Sequence, residues 1–214
     1  CCWARSKIQL ELFQDEKYYF QLDAHHRFVE GWDTLCKEML DNCVNKHSND
    51  KIILSTYAVP CDLSNNVMKI THQNKPYKMK CEKFYNTKKV RYVPEVINTE
   101  IVNEPILSYT ISAHLLFTFG TWVHDVPYDP NLYFDGEEDS LAIRSFTHGW
   151  DIYCPNKIIC YHYYIRTGAK RHSDYDKEWY KLNDSSLQRF GKLIKNELHD
   201  KYSLGMERTM FNYI

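Results

Sequence analysis

Apolar and polar positions alternate along this chain in two periods. In residues 3–17, WARSKIQLELFQDEK, the residues Ala4, Ile8, Leu12 and Phe13 recur at the spacing of one helix face. An amphipathic helix is expected there, ending near residues 14–16 where the charges begin. YYFQLD, residues 18–23, reads as a short apolar strand that stops at an acid. After Gly31, the series Trp32, Leu35, Met39, Leu40 and Cys43 gives a second helix. In KIILSTYAVP, residues 51–60, Ile52, Ile53 and Leu54 follow one another without a break, as in strands covered on both faces. The helix–strand–helix–strand order predicts an α/β fold built on a mixed, mostly parallel sheet flanked by helices.

Farther on, residues 61–105 are polar and rich in lysine, and read as an insertion with extended pieces and room for a hairpin. Residues 106–120, ILSYTISAHLLFTFG, are rich in β-formers and predict one strand. An Asp-Pro turn follows within 126–134, then a helix in GEEDSLAIRSFTHGW. Leu141, Ala142, Ser145 and Phe146 face inward in that helix, with Gly136 before it and Gly149 closing it. DIYCP and KIICYHYY are expected as two short strands, and residues 184–198 as a last helix capped by Asp184 or Ser185.

Charge and composition narrow the function. The 27 Lys and Arg nearly balance 28 Asp and Glu, for a net charge of −1, so nothing in the bulk charge calls for nucleic acid or an anionic membrane as partner. No run approaches the ~20 apolar residues of a membrane span, and no signal peptide is visible. The 17 Tyr, 10 Phe and 5 Trp suit pockets with an apolar wall and a polar edge. The eight cysteines form no CxxC pair. They are expected as reduced thiols of an intracellular, cytoplasmic protein rather than a zinc site or a disulfide framework. The chain begins with Cys1, and the expectation is that it was processed or belongs to something longer.

Five groups of residues carry candidate chemistry. Asp23 and His25 leave the first strand two positions apart, so their side chains can point the same way. An O,N pair of that kind suits a divalent ion such as Mn²⁺ or Mg²⁺, with open positions for water or a diphosphate. An ordinary polar turn explains the same residues. Glu137 and Glu138 open a helix, where acids favour the dipole, yet one of two adjacent acids can face a cleft. His162 lies within an apolar strand, as a core residue or as a third metal ligand beside Asp23 and His25. Arg166, Lys170, Arg171 and His172 form a basic loop, solvated or clamping phosphates. Arg5 is a lone helical arginine, a kind usually found on the surface.

The order of these groups resembles a known family. CWAR, then YYFQLDAHHRFVEGWD, then KIILSTYAVP resembles the GT-A-fold transferases that add N-acetylglucosamine to hydroxyproline on a cytoplasmic ubiquitin-ligase adaptor. It is more distantly similar to the polypeptide N-acetylgalactosaminyltransferases. Asp23-Ala24-His25, Arg27-Phe28 and Trp32-Asp33 match the family pattern, as do SAHLLFTFG, the Gly-Glu-Glu helix, IICYHYY and the tail YSLGMERTMFNYI. The resemblance implies a catalytic domain over 1–200, with the insertion at about 61–105, and a tail over 201–214. It implies metal ligation by Asp23, His25 and His162, and places Glu138 or Glu137 near donor sugar and acceptor. Arg5 would contact the nucleotide-sugar, and Arg166 and Arg171 would close over the diphosphate.

The implied activity is metal-dependent, retaining transfer of a GlcNAc-like sugar from a UDP-sugar to a protein hydroxyl. His114 departs from the pattern, since the family usually has Gly there. The uridine-binding N-terminal half is expected to be missing from this chain. The alternative is a degenerate transferase-like module that binds a glycan or protein without turnover. A metal-dependent hydrolase is a weaker alternative, because no second carboxylate stands near the Asp23 motif in the sequence.

Overall fold

The computed structural model of the chain describes residues 1–64, 67–86, 89–164, 168, 170 and 172–213. The first part runs α1 (Cys2–Glu11), β1 (Tyr18–Leu22), β2 (His26–Phe28), α2 (Trp32–His47), β3 (Ile52–Ser55), β4 (Val59–Ser64) and β5 (Val67–Ile70). The hairpin strands β6 (Tyr77–Asn86) and β7 (Lys89–Val96) follow, then β8 (Ile106–Ser108) and β9 (Leu115–Phe119). The last part is α3 (Trp122–Asp125), α4 (Glu137–Thr147), β10 (Asp151–Cys154), β11 (Cys160–His162), α5 (His172–Tyr175) and α6 (Trp179–Ile194).

β3 is the centre of a five-stranded sheet ordered β1-β9-β3-β10-β8. All four of its residues are buried, because successive side chains enter opposite cores. Ile53 packs in the layer of Trp122, Leu141 and Trp150. Ile52 and Leu54 pack against Cys36, Met39, Leu40 and Cys43 of α2. A smaller sheet, β2-β11-β4-β5, stands beside the first. The chain passes from one sheet to the other at β1 to β2, β3 to β4 and β10 to β11, and the polar residues of interest lie along that seam.

Two glycines hold close approaches. A Cβ on Gly120 would sit 1.9 Å from the Glu16 carbonyl oxygen, and the bare backbone lets Gly120 N–H bond the Lys17 carbonyl at 2.9 Å. Gly136 starts α4 with φ 89°, a conformation that favours glycine.

The α/β class and the mixed sheet stand, but the parallel majority does not. Only β3–β10 and β4–β11 pair in parallel among the described strands; the other ladders are antiparallel. Residues 97–114 contain no helix, so β8 and β9 enter without the long crossover that parallel neighbours need. The expected strand over 51–60 is two strands, because the chain changes sheets at 56–58, where Thr56 Oγ1 donates to the Tyr77 carbonyl. The expected strand over 106–120 is likewise β8 and β9, divided where Ser112 N–H donates to Ser55 Oγ at 2.8 Å.

α1 ends early, and its expected inward face is the wrong one. Ile8 and Leu12 are 50% and 67% exposed, whereas Cys2, Ser6 and Gln9 are buried. The helix uses a polar face inward because Gln9 Oε1 accepts the Tyr128 N–H at 2.7 Å. The last helix starts at Trp179, not at 184, and neither Asp184 nor Ser185 caps it. Its buried stripe begins with the polar Asn183 and Ser186, both hydrogen-bonded to Asp135, which hides the helix from an apolar count. The polar stretch after 61 does form the β6–β7 hairpin.

The eight thiols are free, six of them buried. Among the described residues no helix is long and apolar enough to cross a membrane. Residues after 200 strap the end of α4, with Gly205 N–H on Thr147 Oγ1 at 2.9 Å and Arg208 Nη1 on Asp151 Oδ1 at 2.7 Å.

Ile53→Ala empties the fully buried centre of β3. It is expected to cost about 2–5 kcal/mol in a denaturant titration; a loss below about 1 kcal/mol would contradict this account of the core.

Candidate active site

Asp23 follows the last residue of β1, and a tight turn at residues 24–25 leads into β2. The ladder continues into β11, where His162 lies directly across from His26. Asp23, His25 and His162 thereby offer one oxygen and two nitrogens that all lie within 4.8 Å of one another. Asp23 Oδ2 is 3.9 Å from His162 Nε2, and the His25 and His162 rings meet edge to face at 5.7 Å. Two imidazoles and one carboxylate, in one place but from the turn after β1 and from β11, fit a first-row divalent ion with open positions.

α1 brings Arg5 beside the turn. Its Nη2 bonds Asp23 Oδ1 at 3.1 Å, and its Nη1 bonds Glu137 Oε1 on α4 and the Tyr128 hydroxyl, the last at 3.3 Å. Burial works against this guanidinium's charge, but Tyr128, Glu137 and Asp23 outweigh it and hold the charge more firmly than usual. Arg5 is thus a half-buried bridge between two carboxylates rather than a free surface residue.

Glu138 is the next residue of α4. Its Oε1 accepts the Ala113 N–H at 2.8 Å. Burial pushes its carboxyl up to about 8, against the pull of that N–H, and the neighbouring Glu137 and Asp139 add to the rise. Asp139 accepts the Tyr92 hydroxyl of β7 at 2.7 Å, which ties the hairpin to α4. These groups line an open pocket of about 310 Å³, which includes Arg5, Asp23, Tyr92, His114, Glu137 and Glu138. A second hollow of about 360 Å³, around Phe13, Glu16 and His124, contains none of the expected site residues.

Behind the metal candidates stands a stack of rings. Tyr57 lies over His114 at 5.5 Å, and His114 over His26 at 5.7 Å. His114 Nε2 accepts the Ala58 N–H at 3.2 Å, so Nδ1 carries the hydrogen donated to Ser112 Oγ at 2.8 Å. Burial lowers both His114 and His26, which keeps these rings neutral.

A family model described as "Glycosyltransferase (GlcNAc)" matches residues 1–213. The chain belongs to this glycosyltransferase family. A crystal structure of GalNAc-T7 with UDP, GalNAc and Mn²⁺ is similar in fold, with a TM-score of 0.57 at 15% identity. The likeness covers 94% of this chain and 39% of that one, so this chain spans well under half of its relative. No curated protein sequence matches.

Within this member of the family, Arg5, Asp23, His25, Glu137, Glu138 and His162 come together around one pocket and its rim. Arg166 and Arg171 lie outside the described residues, as does the side chain of His172. Lys170 reaches over the Tyr175 ring at 5.4 Å. Sequence reasoning missed Tyr92, Tyr128 and Asp139. Asp139 carries a signal, since it extends the Glu137-Glu138 acid run; Tyr92 and Tyr128 carry none, being two tyrosines among 17. The pocket also sets Glu137 and Glu138 near Asp23, so the lack of a second carboxylate, which spoke against hydrolysis in the sequence, does not persist in space.

Glu138 leaves a signature in stability. The folded carboxyl keeps its proton to about pH 8 while an ordinary glutamate releases it near 4.5. The folded state therefore binds more protons between those values, and stability falls as pH rises through them. Glu138→Gln keeps the acceptor for Ala113 without the ionisation. In urea titrations the variant should match the unaltered protein near pH 4.5 and exceed it increasingly up to about pH 8. A constant difference across that range would contradict the assignment.

Proposed function

We propose that this chain carries the metal and acceptor side of a metal-dependent, retaining glycosyltransferase. It moves a GlcNAc-like sugar from a UDP-sugar to a hydroxyl of a protein acceptor. Hydroxyproline on a cytoplasmic adaptor is the acceptor implied by the sequence resemblance, and the free thiols support a cytoplasmic setting. The observation that carries the proposal is the Asp23–His25–His162 cluster, joined through Arg5 to Glu137 at the mouth of the pocket. The family match and the intact donor set favour turnover over a binding-only module.

Mn²⁺ or Mg²⁺, held by Asp23, His25 and His162, would supply positive charge for the diphosphate of the donor and fix its orientation. Arg5 keeps the Asp23 carboxylate turned toward the cluster and neutralises part of the acid on α4. Glu138, protonated at neutral pH, can donate a hydrogen bond to a sugar or acceptor oxygen, and is a poor base there. In the transfer itself the bond from the anomeric carbon to the phosphate oxygen breaks and a bond to the acceptor oxygen forms on the same face. The acceptor proton passes to the departing phosphate oxygen. Glu138 and Glu137 orient the partners, and the chain needs no covalent nucleophile. Arg166 and Arg171 belong to the proposal as phosphate contacts on the strength of their place after β11.

The test is transfer from UDP-GlcNAc to a hydroxyproline peptide by the full-length protein with Mn²⁺ saturating. Asp23→Asn and His162→Ala are expected to lower kcat/KM by about 100-fold or more, and Glu138→Leu, which removes the hydrogen-bond donor, to lower kcat by about 10²-fold. Unchanged transfer in the Asp23 and His162 variants would overturn the metal role. Release of free sugar faster than transfer would replace the acceptor reading with hydrolysis.

A further inference from the structure

His26 is adjacent to a proposed ligand but is not one of them, and its surroundings give it a separate task. It is 8% exposed, at the start of β2. Its Nδ1 lies 2.9 Å from the main-chain carbonyl oxygen of Asp23. A carbonyl only accepts, so Nδ1 carries the hydrogen and Nε2 holds the lone pair. Nε2 is buried and makes no hydrogen bond. A buried acceptor of that kind keeps its desolvation penalty without a compensating bond. A leucine or phenylalanine would fill the same space without it, so packing alone does not account for a histidine.

The bond spans the turn that carries Asp23 and His25. The same ring lies directly across the ladder from His162, with the ring centroids 4.6 Å apart, and it is backed on another side by His114 at 5.7 Å. One side chain thus fixes the backbone that aims Asp23 and packs the ring of His162. We propose that His26 is a positioning residue, a latch whose Nδ1–H holds the Asp23 turn closed so that Asp23, His25 and His162 are preset for a divalent ion. It rests on the metal site proposed above. Positioning groups of this kind typically alter metal affinity by 10- to 100-fold.

Asn and Gln separate the latch from simple space filling. Asn places an amide N–H near the position of Nδ1; Gln places it near Nε2; Leu keeps bulk alone. Mn²⁺ titrations followed by electron paramagnetic resonance, without donor or acceptor, read affinity directly. His26→Asn should stay within about 3-fold of the unaltered protein, and His26→Gln and His26→Leu should bind about 10- to 100-fold more weakly. Equal affinity in all four proteins overturns the latch and leaves the metal site standing. No Mn²⁺ binding by the unaltered protein overturns both. A measurement without substitution guards against variants that fail to fold: nitrogen NMR of the metal-free protein must find His26 protonated at Nδ1, and a hydrogen on Nε2 instead overturns the latch.

Discussion

Arg5 lies between two carboxylates from different parts of the chain, Asp23 after β1 and Glu137 at the head of α4. Much of the site depends on that bridge. Asp23, Glu137, Glu138 and Asp139 all border one pocket, where like charges close together oppose one another. The fold answers in three ways. Arg5 pairs two of the acids, Glu138 keeps its proton, and Asp139 accepts the Tyr92 hydroxyl. The bridge also joins α1, the Asp23 turn and α4, so the turn and the helix cannot move independently without breaking one of two ion pairs, of which Arg5–Glu137 is the more buried. Removing one partner of such a pair leaves a charge without compensation and costs several kcal/mol.

The seam between the two sheets explains why chemistry collects here. β1, β3 and β10 belong to the large sheet and lead directly into β2, β4 and β11 of the small one. A strand that changes sheets must break its ladder, and broken ladders leave side chains that need not pack. Asp23 and His25 lie at the first crossing, Tyr57 and Ala58 at the second, and His162 where β11 runs level with Pro60 of β4. The ring stack of Tyr57, His114 and His26 fills the space behind that seam. A bulky His114, where the resembled family usually has glycine, is accommodated because its two ring nitrogens are both engaged, by Ala58 and Ser112.

Local pattern made part of this legible. Ile52 to Leu54 read as a strand covered twice, and it is. The series Met39, Leu40, Cys43 read as the buried face of α2, and it is. The Gly136–Gly149 frame of α4 was equally plain. What failed was any segment whose inner face is polar. α1 buries Ser6 and Gln9, and α6 buries Asn183 and Ser186, each because a main-chain or carboxylate group on another element needs that partner. Sheet direction was also out of reach, since no local pattern says whether a strand returns through a crossover or a turn. In the site, proximity in sequence suggested Asp23 with His25 and Glu137 with Glu138. That Arg5 binds the two pairs together is a tertiary fact, and Arg5 on its own had the look of a surface residue.

The central claim is that Asp23, His25 and His162 form one divalent-ion site. Pulsed electron paramagnetic resonance of the Mn²⁺-loaded protein reads its ligands directly through nitrogen couplings. Two imidazole nitrogens should couple to the ion, and each of His25→Ala and His162→Ala should remove one. A bound ion with no nitrogen coupling, or couplings indifferent to both substitutions, would contradict the account.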